Sequence, residues 1–252
     1  MHGNKTALVA GGTGAIGSEA SRRLAQDGFE VALGFRSNTA AAEALVTEIR
    51  AAGGVAAARQ VQLEDTDAVR AWVDEVGNRS GIDCVVYAAG PPLTLAFVWQ
   101  LTAQQLRDQL ESDVMACFNL VQPAIPHLRQ SENGSIVAVT TAGTARASQL
   151  DALSRVPKAS VDALISTIAV EEGRYGTRAN CLAAGFLGAG ILTDLIESGR
   201  LAPEDTERIK RGIPLRRVGS AGEIADVVVF LASGRSSYVT GQTLYADGGF
   251  TA

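Results

Sequence analysis

A chain of 252 residues, 46% of them hydrophobic, can bury a large core, and its net charge of −5, with acids and bases interspersed, leaves no basic stripe to track a phosphate backbone. That balance excludes nucleic acid as a partner, and no apolar run approaches the roughly 18 residues of a membrane span. Cys84, Cys117 and Cys181 stand far apart with no CxxC spacing and read as reduced core thiols of a cytoplasmic protein; with only His2 and His127 beside them, no metal site is expected.

The first strand, TALVAG, runs directly into AGGTGAIGSEASRRLA, which opens a helix over about 15–27. Gly11, Gly14 and Gly17, with Thr13 and Ile16 between them, form a turn where backbone N–H groups and the helix dipole meet a pyrophosphate. A tight turn without a ligand is the plainer alternative. The second strand, VALGF, ends in Arg36, Ser37 and Asn38, with no acid at its tip to hold ribose hydroxyls. A guanidinium fork suits a 2′-phosphate, so the turn predicts NADPH rather than NADH, against an exposed, solubilising arginine.

Strand and helix then alternate: a helix over 39–52, VAAARQV, a helix over 65–79, DCVVYAA, a helix over 102–130, GSIVAVT, a helix over 155–173, TRANCLAA, a helix over 220–232 and QTLYADG. Strands that are apolar throughout, separated by amphipathic helices, predict an α/β, Rossmann-type doubly wound sheet with helices on both faces. No repeat or linker breaks the pattern, so residues 1–252 are expected to form a single domain. The irregular stretch 184–219 follows the sixth strand, where a doubly wound sheet binds ligands at its strand ends. It is placed to cover a small-molecule substrate; a mobile surface loop is the alternative.

At this point the chain resembles the short-chain dehydrogenases/reductases, most closely the 3-oxoacyl-carrier-protein reductases. The resemblance runs through AGGTGAIG, VVYAAG, GSIVAVTT and RANCLAAGF, and then PLRRVGSAGEIADVVVFLAS and SYVTGQTLYADGG. It implies a seven-stranded sheet, NAD(P)(H) along the strand ends, and a homo-oligomer, tetramer or dimer, built through long helices. By position it sets Gln62 and Leu63 beside the adenine, Ala88, Ala89 and Gly90 beside the adenine ribose, and Gly185 to Leu187 beside the nicotinamide. Ala15 stands where the family has its middle glycine, and Gly14 supplies one a residue earlier.

The resemblance weakens at the catalytic positions. Most members use Asn, Ser, Tyr and Lys, the Tyr four residues before the Lys; here the matching residues are Asp113, Thr141, Ser154 and Lys158. A positioned general acid is worth about 10²–10⁴ in rate, and a serine hydroxyl is far less acidic than a phenol. Pro157 lacks an N–H and fits the first turn of a helix, which makes Ser154 either the N-cap or a hydroxyl, itself or through a water, at the substrate carbonyl. Lys158 is expected to hold the nicotinamide ribose, with a solvated lysine as alternative; Thr141 either bonds a carbonyl or satisfies backbone, and Asp113 either keeps a hydrogen-bonding role or is solvated. Tyr87 reads as core, and Arg146, Asp151 and Arg155 as surface charge on the loop rimming the site. Three functions stand: an NADPH-dependent ketone or quinone reductase with a degenerate tetrad, a cofactor-binding pseudoenzyme or scaffold, and a non-redox enzyme using the same pocket.

Overall fold

The computed structural model describes residues 5–91, 93–189 and 203–252; part of the expected covering region, 190–202, lies outside them, as does His2. In chain order the elements are β1 (Lys5–Ala10), α1 (Ala15–Gln26), β2 (Phe29–Phe35), α2 (Thr39–Ala51), β3 (Val55–Gln60), α3 (Thr66–Ser80), β4 (Cys84–Tyr87), α4 (Ala103–Leu110), α5 (Ala116–Leu128), β5 (Ser135–Thr141), α6 (Ala152–Glu172), β6 (Arg178–Ala184), α7 (Pro203–Gly212), α8 (Ala221–Ala232) and β7 (Thr243–Ala246). The strands form one seven-stranded sheet in the order β3-β2-β1-β4-β5-β6-β7. Every neighbouring pair is parallel, as the helical crossovers require.

Two apolar layers explain why the central strands carry no polar alternation. On one face Leu24 of α1, Leu45 of α2 and Val228 of α8 pack against Val9 and Val31; on the other, Trp72 of α3, Leu120 of α5 and Ile165 of α6 pack against Leu8 and Val85. The indole of Trp72 fills the space above Gly34 of β2, where any Cβ would lie 2.6 Å from its Cη2. The strand order reverses between β1 and β4, so the chain leaves these two strands in opposite directions and a crevice opens at their carboxyl ends.

Two helices depart from expectation. The helix expected over 102–130 is interrupted by a π turn, Glu111–Met115, between α4 and α5. The wider turn inserts one residue into the helical repeat and carries Asp113, which is buried. Helix α6 starts three residues before the expected 155, at Ala152, so Ser154 is not its cap: Asp151 is, and its carbonyl accepts from Ser154 N–H at 3.1 Å and Arg155 N–H at 2.8 Å. Pro157 therefore sits inside the helix, a turn deeper than its chemistry prefers. Leu153 anchors the first turn in the core and Pro157 is itself buried, so packing outweighs the lost backbone bond. Just upstream Leu150 adopts φ 67°, a left-handed conformation that turns the chain into the helix.

Candidate active site

The glycine turn is built by backbone contact. Gly11, at φ 78°, lies so close to β4's exit that a Cβ would meet the Ala88 carbonyl and Ala89 nitrogen at 2.7 Å. Gly14 N–H closes the turn on Gly11 O at 2.9 Å and Gly14 caps α1, while a Cβ on Gly17 would stand 2.1 Å from Gly11 O. Thr13 and Ile16 are half-buried around the turn, Ile16 packing on the core. No acid occupies the first turn of α1, and its leading N–H groups have no partner within the helix, so the turn fits a pyrophosphate by charge and by donors.

Along the same edge, Arg36 is exposed at the end of β2, its carbonyl held by Gln60 Nε2 at 2.9 Å and Gln62 Nε2 at 3.3 Å. Among the described residues no carboxylate pairs with its guanidinium. Ser37 O accepts from Thr39 N–H, and the Asn38 side chain caps α2 by accepting from Ala41 N–H at 3.0 Å. Leu63 O accepts from Asn119 Nδ2 at 3.0 Å, which ties the expected adenine side to α5. Nothing crowds Gly90. Gly185 N–H bonds Ala246 O, and Leu187 pairs with Gly219 in an isolated bridge, so the stretch after β6 is pinned to both the β7 side and the loop before α8.

Lys158 and Asp113 meet, although 45 residues separate them. Lys158 Nζ donates to Asp113 Oδ1 at 2.8 Å and to Ala89 O at 3.3 Å, and it lies 5.2 Å from the centroid of the Tyr87 ring. The Tyr87 hydroxyl donates to Asp113 O and Oδ1, both at 3.0 Å. Burial, and then the Asp113 charge, push the Tyr87 phenol well above its ordinary pKa, so it stays protonated and acts as a donor. Tyr87 is core, as expected, but it also clamps a carboxylate. Asp113 is therefore no solvated helix acid.

The end of β5 separates its two threonines by the strand's alternation. Thr140 Oγ1 donates to Asp162 of α6 at 3.0 Å, while Thr141 Oγ1 accepts from Gly143 N–H at 3.1 Å. The rim charges are not surface decoration. Arg155 donates from Nε to Gly143 O at 2.7 Å and from Nη2 to Thr144 O at 3.2 Å, stapling the loop after β5 onto α6. Arg146 stacks over Phe250, 4.5 Å from its centroid, and donates to its carbonyl. Asp151 is half-buried, and burial raises its carboxyl pKa against the lowering influence of Ser154 and Arg155. The sequence signal for Asp151 was present in its spacing: an Asp three residues before Ser154, leading an apolar pair, is a helix N-terminus. Among the described residues no group of three or more His, Cys, Asp or Glu is placed to hold a metal, and no helix is long and apolar enough to cross a membrane.

Residues 11–251 match the family model described as Enoyl-(Acyl carrier protein) reductase. The chain belongs to the short-chain dehydrogenase/reductase family. It is 32% identical over 250 residues to a 3-oxoacyl-acyl-carrier-protein reductase, FabG, of Staphylococcus aureus, covering 99% of each chain. It is also 31% identical over 252 residues to an L-fucose dehydrogenase of Oryctolagus cuniculus, covering 98% of this chain and 85% of that one. A solved short-chain dehydrogenase/reductase of Serratia marcescens superimposes with a TM-score of 0.90 at 27% identity, covering 99% of both chains. Membership makes the protein an NAD(P)-dependent oxidoreductase.

Proposed function

We propose that this short-chain dehydrogenase/reductase is an NADPH-dependent ketone or quinone reductase whose site works without the usual tyrosine. The observation that carries the reading is the glycine turn packed against Ala88 and Ala89 where the strand order reverses, with an unpaired Arg36 at the neighbouring strand end. When bound, NADPH supplies a hydride for a carbonyl carbon. The chain's own residues then bind and orient. Gly14, Ile16 and Gly17 present backbone donors to the pyrophosphate, and Arg36 offers its fork to the 2′-phosphate. Gln62, Leu63 and Ala88 to Gly90 line the nucleoside side, and Gly185 and Leu187 the nicotinamide side.

Lys158, fixed by Asp113 beside Ala89, reaches the ribose from the position that its contacts support. Thr141 and Ser154 face the carbonyl, with Thr141 anchored through Gly143. The residues form a single domain that associates as a homo-oligomer through α5 and α6, whose outer faces leave Phe118 and Val170 exposed at 42% and 84%. Three buried, unpaired cysteines favour a reducing, cytoplasmic setting.

The deciding experiment is loss of NADPH absorbance with a panel of quinones, phenolic ketones and linear β-keto thioesters. Turnover with at least one class is expected. Tight NADPH binding with no oxidation by any of them would overturn the reading.

A further inference from the structure

Resting on the reductase reading, we propose that Asp151 is the proton source of the reduction, passing its carboxyl proton to the substrate oxygen through the Ser154 hydroxyl. A serine hydroxyl alone is too weak an acid for the task, and it can serve only as a relay from a stronger one. Asp151 is that acid by placement. It is the residue immediately before α6, three positions ahead of Ser154 and therefore on the same side of the first turn, while Lys158 follows Ser154 by one further turn.

The neighbouring backbone fixes Asp151, and its carboxyl lies against Gly143. Gly143 gives up its side-chain space to it: a Cβ at 143 would lie 2.8 Å from Asp151 Oδ2 and 3.4 Å from Thr141 Oγ1, so carboxyl and threonine hydroxyl converge on one point at the end of β5. The preceding Leu150 adopts φ 67°, a conformation that a branched residue adopts only when its surroundings impose it. Ala96 N–H bonds Leu150 O at 3.2 Å, and Ala96 pairs with Asp151 itself, locking this strained corner onto the loop after β4. The strained backbone of Leu150 and the vacated side-chain position of Gly143 both adjoin the half-buried Asp151 carboxyl.

The electrostatics agree with the geometry. Burial favours the protonated carboxyl and outweighs Ser154 and the Arg155 guanidinium, which favour the carboxylate. Arg155 is the charged group acting on it; Thr141 at the end of β5, Gly143 in the loop after it and Ala96 from the facing loop bring none. Lys158 spends its charge on Asp113 instead.

The step balances. A hydride from the reduced nicotinamide dinucleotide reaches the carbonyl carbon, and the carbon–oxygen π pair takes the proton of Ser154 Oγ. Ser154 takes the proton of Asp151, and water reprotonates the Asp151 carboxylate, so carbonyl, NADPH and one proton give alcohol and NADP⁺. Because only the protonated carboxyl delivers, the rate falls about tenfold per pH unit above its raised pKa.

The test combines a titration with kinetics. In the protein without cofactor, carboxyl-carbon NMR across about pH 3 to 8 should give Asp151 a midpoint above the ordinary aspartate value of about 3.9. S154A should raise it further, and G143A should move it toward the ordinary value by pushing the carboxyl outward. With NADPH and a turned-over substrate, D151N should lose about 10²-fold in rate together with the acid-favoured pH dependence, and S154A a similar amount. NADPH affinity should be unchanged in D151N, because residue 151 begins the helix through its backbone carbonyl. An ordinary midpoint for Asp151, or a D151N rate within threefold of wild type with the same pH profile, would sink the proposal while leaving the reductase reading in place. If wild type and D151N bind NADPH equally and neither oxidises it with any substrate, the reductase reading falls and the proposal with it.

Discussion

Removing the Asp113 carboxylate should be among the most costly single changes near the site. Asp113 and Lys158 side chains are 3% and 13% exposed, with 2.8 Å between Oδ1 and Nζ. At such separation and an effective dielectric of about 20, the attraction is about 6 kcal/mol, and it is offset by several kcal/mol of desolvation per ion. The pair's net worth is therefore small, but stranding one member costs about 3–5 kcal/mol. In D113A, Lys158 keeps Ala89 O and Tyr87 keeps the Asp113 carbonyl, which places the loss near the lower end, about 3 kcal/mol. For a chain of this length that is a fall in Tm of about 6–12 °C. K158M strands the more deeply buried partner and should cost at least as much. The double variant leaves no buried charge, so urea unfolding at fixed protein concentration should give a coupling energy of about 2–3 kcal/mol in the four-member cycle. A D113A loss below about 1 kcal/mol, or single losses that simply add, would show that the two groups do not hold one another.

Three further outcomes are expected. R36A should weaken NADPH binding by about 10–100-fold, the worth of one or two charge-assisted hydrogen bonds, with NADH much less affected; equal weakening in fluorescence titrations would remove Arg36 from the phosphate site. G17A gains about 1 kcal/mol of helix propensity but sets a methyl 2.1 Å from Gly11 O, so net destabilisation of about 1–2 kcal/mol and loss of cofactor binding should follow, read by Tm and by NADPH titration. Glu223, hydrogen-bonded to Arg217 and capping α8 with Ser220, has its pKa lowered to about 2. Its folded pKa lies below its unfolded one, so its stabilising contribution is complete above about pH 4.3 and is lost as pH falls toward about 2. The Tm curves of wild type and E223Q should therefore converge over that window.

Patterns confined to one element could be read from sequence, and contacts between elements could not. The seven strands were legible as short, wholly apolar runs and most helices by apolar spacing of about 3.6 residues within single segments, whereas α7 lies inside the stretch read as irregular. The glycine turn was legible because strand, turn and helix are consecutive. The π turn escaped because one extra residue in a helical repeat leaves the apolar spacing almost unchanged. Tyr87, Asp113 and Lys158 come from three elements, 26 and 45 residues apart, and no local pattern records that their side chains meet. The start of α6 misled for a different reason. A proline normally marks the first turn, and here a buried Pro157 is tolerated deeper because the helix face it occupies packs into the core.

That displaced start changes what Ser154→Ala should do. A cap is worth about 0.5–2 kcal/mol, and with Ser154 as the cap its loss would appear in unfolding experiments. Ser154 instead occupies the third position of α6, where alanine is the better helix former by up to about 0.7 kcal/mol, and Asp151 begins the helix through its carbonyl. S154A should thus leave stability within about 0.5 kcal/mol of wild type, or raise it slightly. Any fall in activity then reports on chemistry rather than on folding, because positions 154 and 158 keep their i, i+4 relation on an intact helix. Urea unfolding paired with NADPH oxidation separates the two roles: a loss of 1 kcal/mol or more would return Ser154 to the cap and make its hydroxyl structural.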